Sequence, residues 1–221
     1  LGMHRSGTSA LTRLLALHGV ALGDALLPAA ADNPTGFWEH REVVALHERL
    51  LAALGRAWDD PRALPRDWLD HPAAREAQAG IGALLDREFA GHPAWAVKDP
   101  RLCRFVPLWR RAMAERGIDA VAVFALRHAD EVAASLEARD GLPRGVGHLL
   151  WARYLLDALA GGEGMARHAI RYDALLADWQ GAVRAFVDAT GLRLPHPADP
   201  DTVTAFLSPT LRHHAATTEP P

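Results

Sequence analysis

Residues 1–9 read LGMHRSGTS, and residues 10–17 continue as ALTRLLAL. Two glycines bracket four residues in the first part, and leucines recur at helical spacing in the second part. The stretch is therefore typical of a loop that opens a helix, here over about 8–18. The first backbone N–H groups of a helix have no partner within it, and the helix dipole places partial positive charge there. The stretch predicts an anion-binding loop, to which Arg5 adds a cation.

The loop differs from that of nucleoside-triphosphate-binding proteins. Their pattern is G-x-x-x-x-G-K-[ST], in which the lysine contacts the β- and γ-phosphates. Thr8 occupies the lysine position here, and the cation lies earlier, at Arg5. The loop instead resembles the 5′-phosphosulfate-binding loop of the sulfotransferase family, where a basic residue and S-G-T-[ST] precede the helix. That resemblance implies that 3′-phosphoadenosine 5′-phosphosulfate (PAPS) is bound by Arg5, Ser6, Gly7, Thr8 and Ser9. A glycine-containing turn without a ligand is the alternative.

The composition excludes several classes of protein. The chain has 221 residues, of which 49% are hydrophobic, enough for one α/β domain with a substantial core. The net charge of −3 provides no basic field for nucleic acid, so phosphate recognition has to be local. A single cysteine, Cys103, excludes an internal disulfide, and no apolar run is long enough to span a membrane. We expect a cytoplasmic protein without a nucleic-acid partner.

Helices and strands alternate along the chain. Apolar runs at 95–98 and 119–126 are typical of strands, and 167–172 is predicted to be a third short strand. Periodic segments predict helices over about 8–18, 41–54, 72–89, 105–116, 128–139 and 146–159, with further helical segments up to 190. This order predicts right-handed crossovers and a three-layer α/β sandwich, in which a parallel sheet carries helices on both faces. The fold would be similar to that of P-loop nucleotide kinases.

The two ends of the sequence carry separate expectations. An anion-binding loop of this kind follows a strand, of which only Leu1 and Gly2 are present, so the chain looks truncated at its N-terminus. The tail from residue 192 is rich in Pro, Asp, Thr and His, and only 203–207 looks ordered within it. We expect residues 1–221 to form one domain with a mostly irregular tail at 192–221.

Polar residues follow two of the predicted strands. Lys98 ends the run at 95–98, and Arg127 ends the run at 119–126. Ligands of open parallel sheets bind at the carboxyl ends of the strands. Ser135 lies eight residues after Arg127 on the next helix, so both could reach one phosphate dianion. The sulfotransferase family binds the 3′-phosphate of its nucleotide with an arginine and a serine at this spacing.

Three shorter stretches extend the resemblance to about residues 2–190. Tyr172 begins YDALL, which is similar to the family's Y-E-D-L segment, whose tyrosine lies against the adenine. A half-buried core tyrosine is the alternative. The stretches GFWE at 36–39 and KDPR at 98–101 look like those of bacterial members.

The general base cannot be taken from the cytosolic branch of the family. That branch carries a histidine two residues after the strand lysine, where this chain has Pro100. Branches that act on carbohydrates or protein tyrosine use a glutamate downstream of the loop, and Glu39 fits that pattern. Glu39 is also typical of an acid at a helix N-terminus. His40 and Asp99 are the alternative bases.

The resemblance and the residues together predict a PAPS-dependent sulfotransferase with a hydroxyl or amine acceptor, for example a carbohydrate. Arg5 and Lys98 are the cations predicted to stabilise the leaving oxygen, and Glu39 is the predicted base. We expect no metal ion, because no histidine or cysteine spacing is that of a metal site. The segments 33–39 and 141–148 are predicted to shape the acceptor pocket. A kinase with a degenerate loop, which would need Mg²⁺, and a non-catalytic nucleotide-binding module are the alternatives.

Overall fold

The computed structural model describes residues 1–29 and 36–207. The helices are α1 (Thr8–Leu17), α2 (Arg41–Ala53), α3 (Pro72–Leu84), α4 (Leu102–Ala114), α5 (Ala129–Asp140), α6 (Arg144–Gly161), α7 (Tyr172–Ala177), α8 (Trp179–Thr190) and α9 (Pro200–Phe206). A 3₁₀ turn covers Trp68–Asp70, and a π-helical turn at Leu85–Phe89 continues α3. The expectations for 33–35 and for the end of the tail at 208–221 lie outside the described residues. None of the described helices has the length and apolarity that a bilayer crossing requires.

The sheet consists of two parallel strands, β1 (Val121–Leu126) and β2 (Ala166–Arg171), among the described residues. They pair in register from Val121 opposite Ala166 to Leu126 opposite Arg171. The backbone of Leu1 also lies along β1, because its terminal nitrogen donates to Val123 O (2.6 Å) and Ala125 N–H donates to Leu1 O (2.8 Å). Two such bonds to residues i and i+2 are what a parallel neighbour makes.

Helices cover both faces of this sheet. Alternate residues of β1 point to opposite faces, so each set packs against different helices. The odd-numbered residues 121, 123 and 125 pack with α1, α8 and α9 in one hydrophobic cluster. The even-numbered residues 122, 124 and 126 pack with α5 and α6 in a second cluster. A third cluster joins α2, α3 and α4. The described residues thus form a mixed α/β architecture with a small parallel sheet. This agrees with the predicted α/β class, and the three-layer sandwich stays a prediction.

The strand predicted at 95–98 is wrong. This segment makes one parallel bridge, between Trp95 and Ala21, in which Ala21 N–H donates to Ala94 O and Ala96 N–H donates to Ala21 O. Among the described residues, no strand pairs with this segment beyond that bridge. Pro93 and Pro100 limit the segment on both sides. The run is apolar because the segment is partly buried against the core, although it does not form the hydrogen-bond ladder of a strand.

Helix α4 begins three residues earlier than predicted and is bent. Its first residue is Leu102, and Phe105 has non-helical dihedral angles (φ −120°, ψ 16°). Pro107 lies inside the helix, lacks a backbone N–H and places its ring against the preceding turn. The proline therefore explains the bend.

Candidate functional site

The loop ahead of α1 adopts a strained backbone. Ser6 N–H donates to Met3 O (3.1 Å), which closes a turn whose third residue, Arg5, has a φ of 69°. Gly7 follows with a φ of 86°, and a Cβ there would lie 2.3 Å from the Tyr172 ring. Positive φ in a residue other than glycine costs about 1–3 kcal/mol and is concentrated at functional sites. The N-cap residue of α1 is Gly7, which has no side chain to cap the helix, and backbone N–H groups at such a helix end can bind an anion.

A cavity of about 630 Å³ lies at this helix end, within the range of small-molecule sites. Its described lining includes six cations: Arg5, Arg13, Lys98, Arg101, Arg127 and Arg139. The carboxylates in the lining are Glu39 and Asp140. Four of the cations are paired with carboxylates: Lys98 with Glu39, Arg101 with Asp99 and Glu48, Arg127 with Glu131, and Arg139 with Asp140. Three of these carboxylates lie outside the lining, so the cavity surface itself carries more positive than negative groups and suits an anionic ligand.

Most of the residues predicted for the site line this one cavity. They are Arg5, Gly7, Thr8, Ser9, Glu39, Lys98, Arg127 and Tyr172. The other two, Ser6 and Ser135, are buried and do not belong to the lining. Ser6 uses its backbone N–H within the loop's own turn, so the structure assigns it to the shape of the loop.

Lys98 and Glu39 form a buried ion pair in the cavity wall. The Lys98 ammonium donates to Glu39 Oε1 (2.5 Å), Phe37 O (3.0 Å) and Ser9 Oγ (3.2 Å). The two side chains are only 8% and 7% exposed. Burial raises the pKa of Glu39 although Lys98 opposes the change. Burial likewise lowers the pKa of Lys98 although Glu39 opposes the change. Both neutral forms are thus more accessible than in water, which is typical of groups that exchange a proton.

Lys98 is also the single lysine of the sequence, because 23 of the 24 lysine and arginine residues are arginines. Lysine offers a compact ammonium with three donors, and it is the basic residue whose pKa burial readily shifts. This count is a sequence signal that would have singled out Lys98 independently of any motif.

The residues predicted for the two phosphate groups touch one another. Arg5 Nε donates to Ser135 Oγ (2.8 Å), and Arg127 Nη1 donates to Arg5 O (3.2 Å). The Arg127 guanidinium lies 5.2 Å from the Tyr172 ring centroid. Arg127 Nε also donates to the buried carboxylate of Glu131 (2.8 Å). Sequence reasoning missed Glu131, although its i, i+4 spacing from Arg127 was a signal.

Asp99, one of the alternative bases, lies beneath the cavity wall. It is 2% exposed and accepts hydrogen bonds from His47 Nδ1 (2.8 Å) and from Arg101 N (3.0 Å) and Nη1 (2.9 Å). Burial alone would raise the pKa of Asp99, but the His47 hydrogen bond and the Arg101 charge outweigh burial and hold that pKa well below its ordinary value. Such a carboxylate is a poor proton acceptor.

His40, the other alternative base, does not line the cavity either. It is 2% exposed, and neither ring nitrogen has a hydrogen-bond partner among the described residues. The nearest carboxylate, Glu88, lies 3.8 Å from Nε2, beyond hydrogen-bond distance. Of the three candidate bases, Glu39 is the one that the structure places in the described cavity lining.

We expect His40→Leu to raise the free energy of unfolding by about 1 kcal/mol, because it removes buried polar atoms that lack partners at similar side-chain volume. Urea denaturation measures this change, and adenosine 3′,5′-bisphosphate binding should stay unchanged in the same variant. A clear loss of stability would contradict this account of His40. A loss of nucleotide binding would return it to the site.

Sequence reasoning also missed part of the cavity wall. Arg13 lies with its guanidinium 4.5 Å from the Phe206 ring centroid and 5.7 Å from that of Trp38. Its position four residues after Ser9 on α1 was a helical-spacing signal. His4 packs against Trp58 with ring centroids 4.8 Å apart, its Nε2 is buried without a partner among the described residues, and burial lowers its pKa.

The two segments predicted to shape the acceptor pocket differ in their position relative to the cavity. Phe37, Trp38 and Glu39 line the cavity, as expected of 33–39, although 33–35 lie outside the described residues. The segment 141–148 does not line it, whereas Arg139 and Asp140, just before that segment, do. Helix α5 continues to Asp140, so the residues that face the cavity belong to its last turn.

No cluster of three or more potential metal ligands occurs in the described residues. Comparison of the chain with protein-family models, with curated proteins and with solved structures finds no match.

Proposed function

We propose that the protein transfers a sulfuryl group from PAPS to a hydroxyl or amine acceptor. The observation that carries the proposal is the set of six cations that line the cavity at the N-terminus of α1, where the N-cap residue is Gly7. Such a site suits a ligand with several anionic groups, and it is built without the lysine on which nucleoside-triphosphate loops rely.

The contacts of Arg5 support the placement of the nucleotide. We place the 5′-phosphosulfate against Arg5 and the N–H groups that open α1, and the 3′-phosphate between Arg127 and Ser135. Because Ser135 lies behind the cavity lining, its hydroxyl would reach that phosphate once Arg5 Nε turns from Ser135 to the ligand. Arg127 and Ser135 both contact Arg5, so the two phosphate groups would lie on either side of its side chain. The adenine would lie against Tyr172, which Arg127 also contacts.

We propose that the full fold is a three-layer sandwich similar to that of P-loop kinases. Helices on both faces of β1 and β2 support this proposal, as do the hydrogen bonds that align Leu1 with β1 directly ahead of the loop. The cytoplasmic location and the glycan or other small-molecule acceptor stay predictions from the sequence.

The ion pair of Lys98 and Glu39 suggests how the step proceeds. The acceptor oxygen attacks sulfur, a new S–O bond forms, and the bond from sulfur to the bridging phosphate oxygen breaks. The acceptor proton moves to Glu39, and adenosine 3′,5′-bisphosphate leaves with the electron pair of the broken bond. As Glu39 becomes neutral, its attraction for Lys98 weakens while negative charge grows on the leaving oxygen. Lys98 can then transfer its hydrogen bond to that oxygen, assisted by Arg5.

We expect adenosine 3′,5′-bisphosphate to raise the melting temperature by about 5–10 °C in EDTA at about 100 times its Kd. ATP, ADP and adenosine 5′-phosphate should raise it far less, because they lack the 3′-phosphate that Arg127 and Ser135 are proposed to bind. Differential scanning fluorimetry measures the shifts.

Labelled PAPS with a panel of glycan, lipid and phenol acceptors then tests turnover. Equal stabilisation by ATP with Mg²⁺ would favour a kinase and contradict the proposal. Tight binding of adenosine 3′,5′-bisphosphate without turnover on any acceptor would favour a non-catalytic nucleotide-binding module.

A further inference from the structure

A chain of three buried side chains connects the hydrophobic core to the cavity wall. Trp109 Nε1 donates to His47 Nε2 (2.9 Å), and His47 Nδ1 lies 2.8 Å from Asp99 Oδ2. His47 and Asp99 have fully buried side chains, and Trp109 is buried as well. The three residues come from α4, from α2 and from the turn at 98–101, so the chain ties two helices to that turn.

The hydrogen bonds determine the tautomer of His47. An indole nitrogen can only donate, so Nε2 of His47 accepts and carries no proton. The ring proton is therefore on Nδ1, where it is donated to Asp99. Both ring nitrogens are satisfied in the neutral form, and the bond to Asp99 has one direction.

Asp99 passes this constraint to the turn. Its other oxygen, Oδ1, accepts from the backbone N–H and from Nη1 of Arg101. Lys98 and Arg101 flank Asp99, and both line the cavity. Arg101 Nη1 lies 4.0 Å from Glu39 Oε2, while Lys98 bonds the other oxygen of Glu39. Asp99 thus holds the Arg101 side chain directly, together with Glu48, and is joined to Lys98 through the backbone of the turn.

We propose that His47 is a positioning residue, which acts through Asp99 to hold Lys98 and Arg101 in place for the reaction. The role of His47 in the reaction rests on the proposed sulfuryl transfer, whereas the hydrogen bonds among Trp109, His47 and Asp99 are independent of that proposal. His47 lies away from the cavity lining, so its influence on turnover passes through the turn, where a displacement of about 1 Å can cost about a hundredfold in rate.

Two amide variants separate this role from a simple structural one. His47→Asn places an amide near Nδ1 and keeps a donor for Asp99, whereas His47→Gln places its amide near Nε2 and keeps an acceptor for Trp109. We expect His47→Gln to lower kcat with labelled PAPS about a hundredfold. His47→Asn should stay within a few-fold of the wild type, and the Kd of adenosine 3′,5′-bisphosphate should change little in both variants.

Leu50→Ala is the matched control, because Leu50 is buried one turn further along α2 and makes no polar contact with the turn. It should lower the melting temperature but leave kcat unchanged well below melting. If both amide variants lower kcat equally, or change it no more than Leu50→Ala does, His47 is structural and the proposal is wrong.

A second readout needs no activity. Because Lys98 is the single lysine, competitive labelling with acetic anhydride and mass spectrometry reports the reactivity of its amine directly. We expect His47→Gln to change that reactivity, and His47→Asn to leave it near the wild-type value. An unchanged reactivity in His47→Gln would overturn the positioning role. A wild-type protein that neither binds nor turns over PAPS would overturn the proposed function, while the labelling result would still decide the position of Lys98.

Discussion

Glu39→Gln is expected to lower turnover of labelled PAPS by about a hundredfold or more while leaving donor affinity intact. The carboxylate lies in the cavity wall and is 7% exposed, and burial raises its pKa toward working pH. Glutamine keeps the shape and an acceptor for Lys98 but cannot take the acceptor proton. Steady-state kinetics and nucleotide titration of the same variant measure the two quantities separately.

The pH dependence provides an independent check of Glu39. A base works in its deprotonated form, so wild-type kcat should rise with pH through the raised pKa of Glu39, above its ordinary value of 4.5. Glu39→Gln should lose this acid limb. Glu42→Gln is the matched control, because Glu42 is an exposed carboxylate three residues along the chain. If Glu39→Gln keeps most of its turnover and the limb, Glu39 serves as the partner of Lys98 and is not the base.

Lys98→Met should lower the free energy of unfolding by about 3–5 kcal/mol, because it leaves the buried carboxylate of Glu39 without its main partner. The double variant Lys98→Met/Glu39→Gln should recover most of this loss, since no buried charge then remains to be compensated. Urea denaturation of the four proteins in the double-mutant cycle gives the coupling free energy. Additive losses would show that the two side chains do not depend on each other.

The destabilisation by Lys98→Met should also depend on pH. Without Lys98, the opposition to burial is lost and the pKa of Glu39 rises further. An acid whose pKa is higher in the folded protein binds its proton more tightly there, so the stability of the variant falls as pH rises above about 4.5 through the folded pKa. The loss relative to the wild type should therefore be smaller at pH 5 than at pH 8. Equal losses at both values would contradict this account.

The sequence by itself determined the elements that depend on local pattern. The apolar run at 119–126 predicted β1 (Val121–Leu126) because a doubly covered strand must be apolar on both faces. Leucines at helical spacing predicted α1 (Thr8–Leu17), and the glycine ahead of it has the positive φ that the loop requires. The burial and the backbone conformation of these two elements depend on residues close together in the sequence, so the local pattern was enough to predict them.

The tertiary structure decided every pairing between distant residues. The segment 95–98 is apolar like a strand, but strand pairing needs a neighbour, and one bridge to Ala21 is formed. Hydrogen bonds such as Arg5 to Ser135 and His47 to Asp99 join residues separated by 130 and 52 positions. Local periodicity in the sequence does not predict contacts between residues so far apart.

The choice among the candidate bases was decided in the same way. Glu39, His40 and Asp99 are all titratable and lie near the motifs, so their residue types left the base open. Only folding buries His40 away from the cavity, places Asp99 between His47 and Arg101, and leaves Glu39 in the cavity wall beside Lys98. Access to a ligand and the shift of a pKa arise from the residues that pack around a group, and those residues come from other parts of the chain.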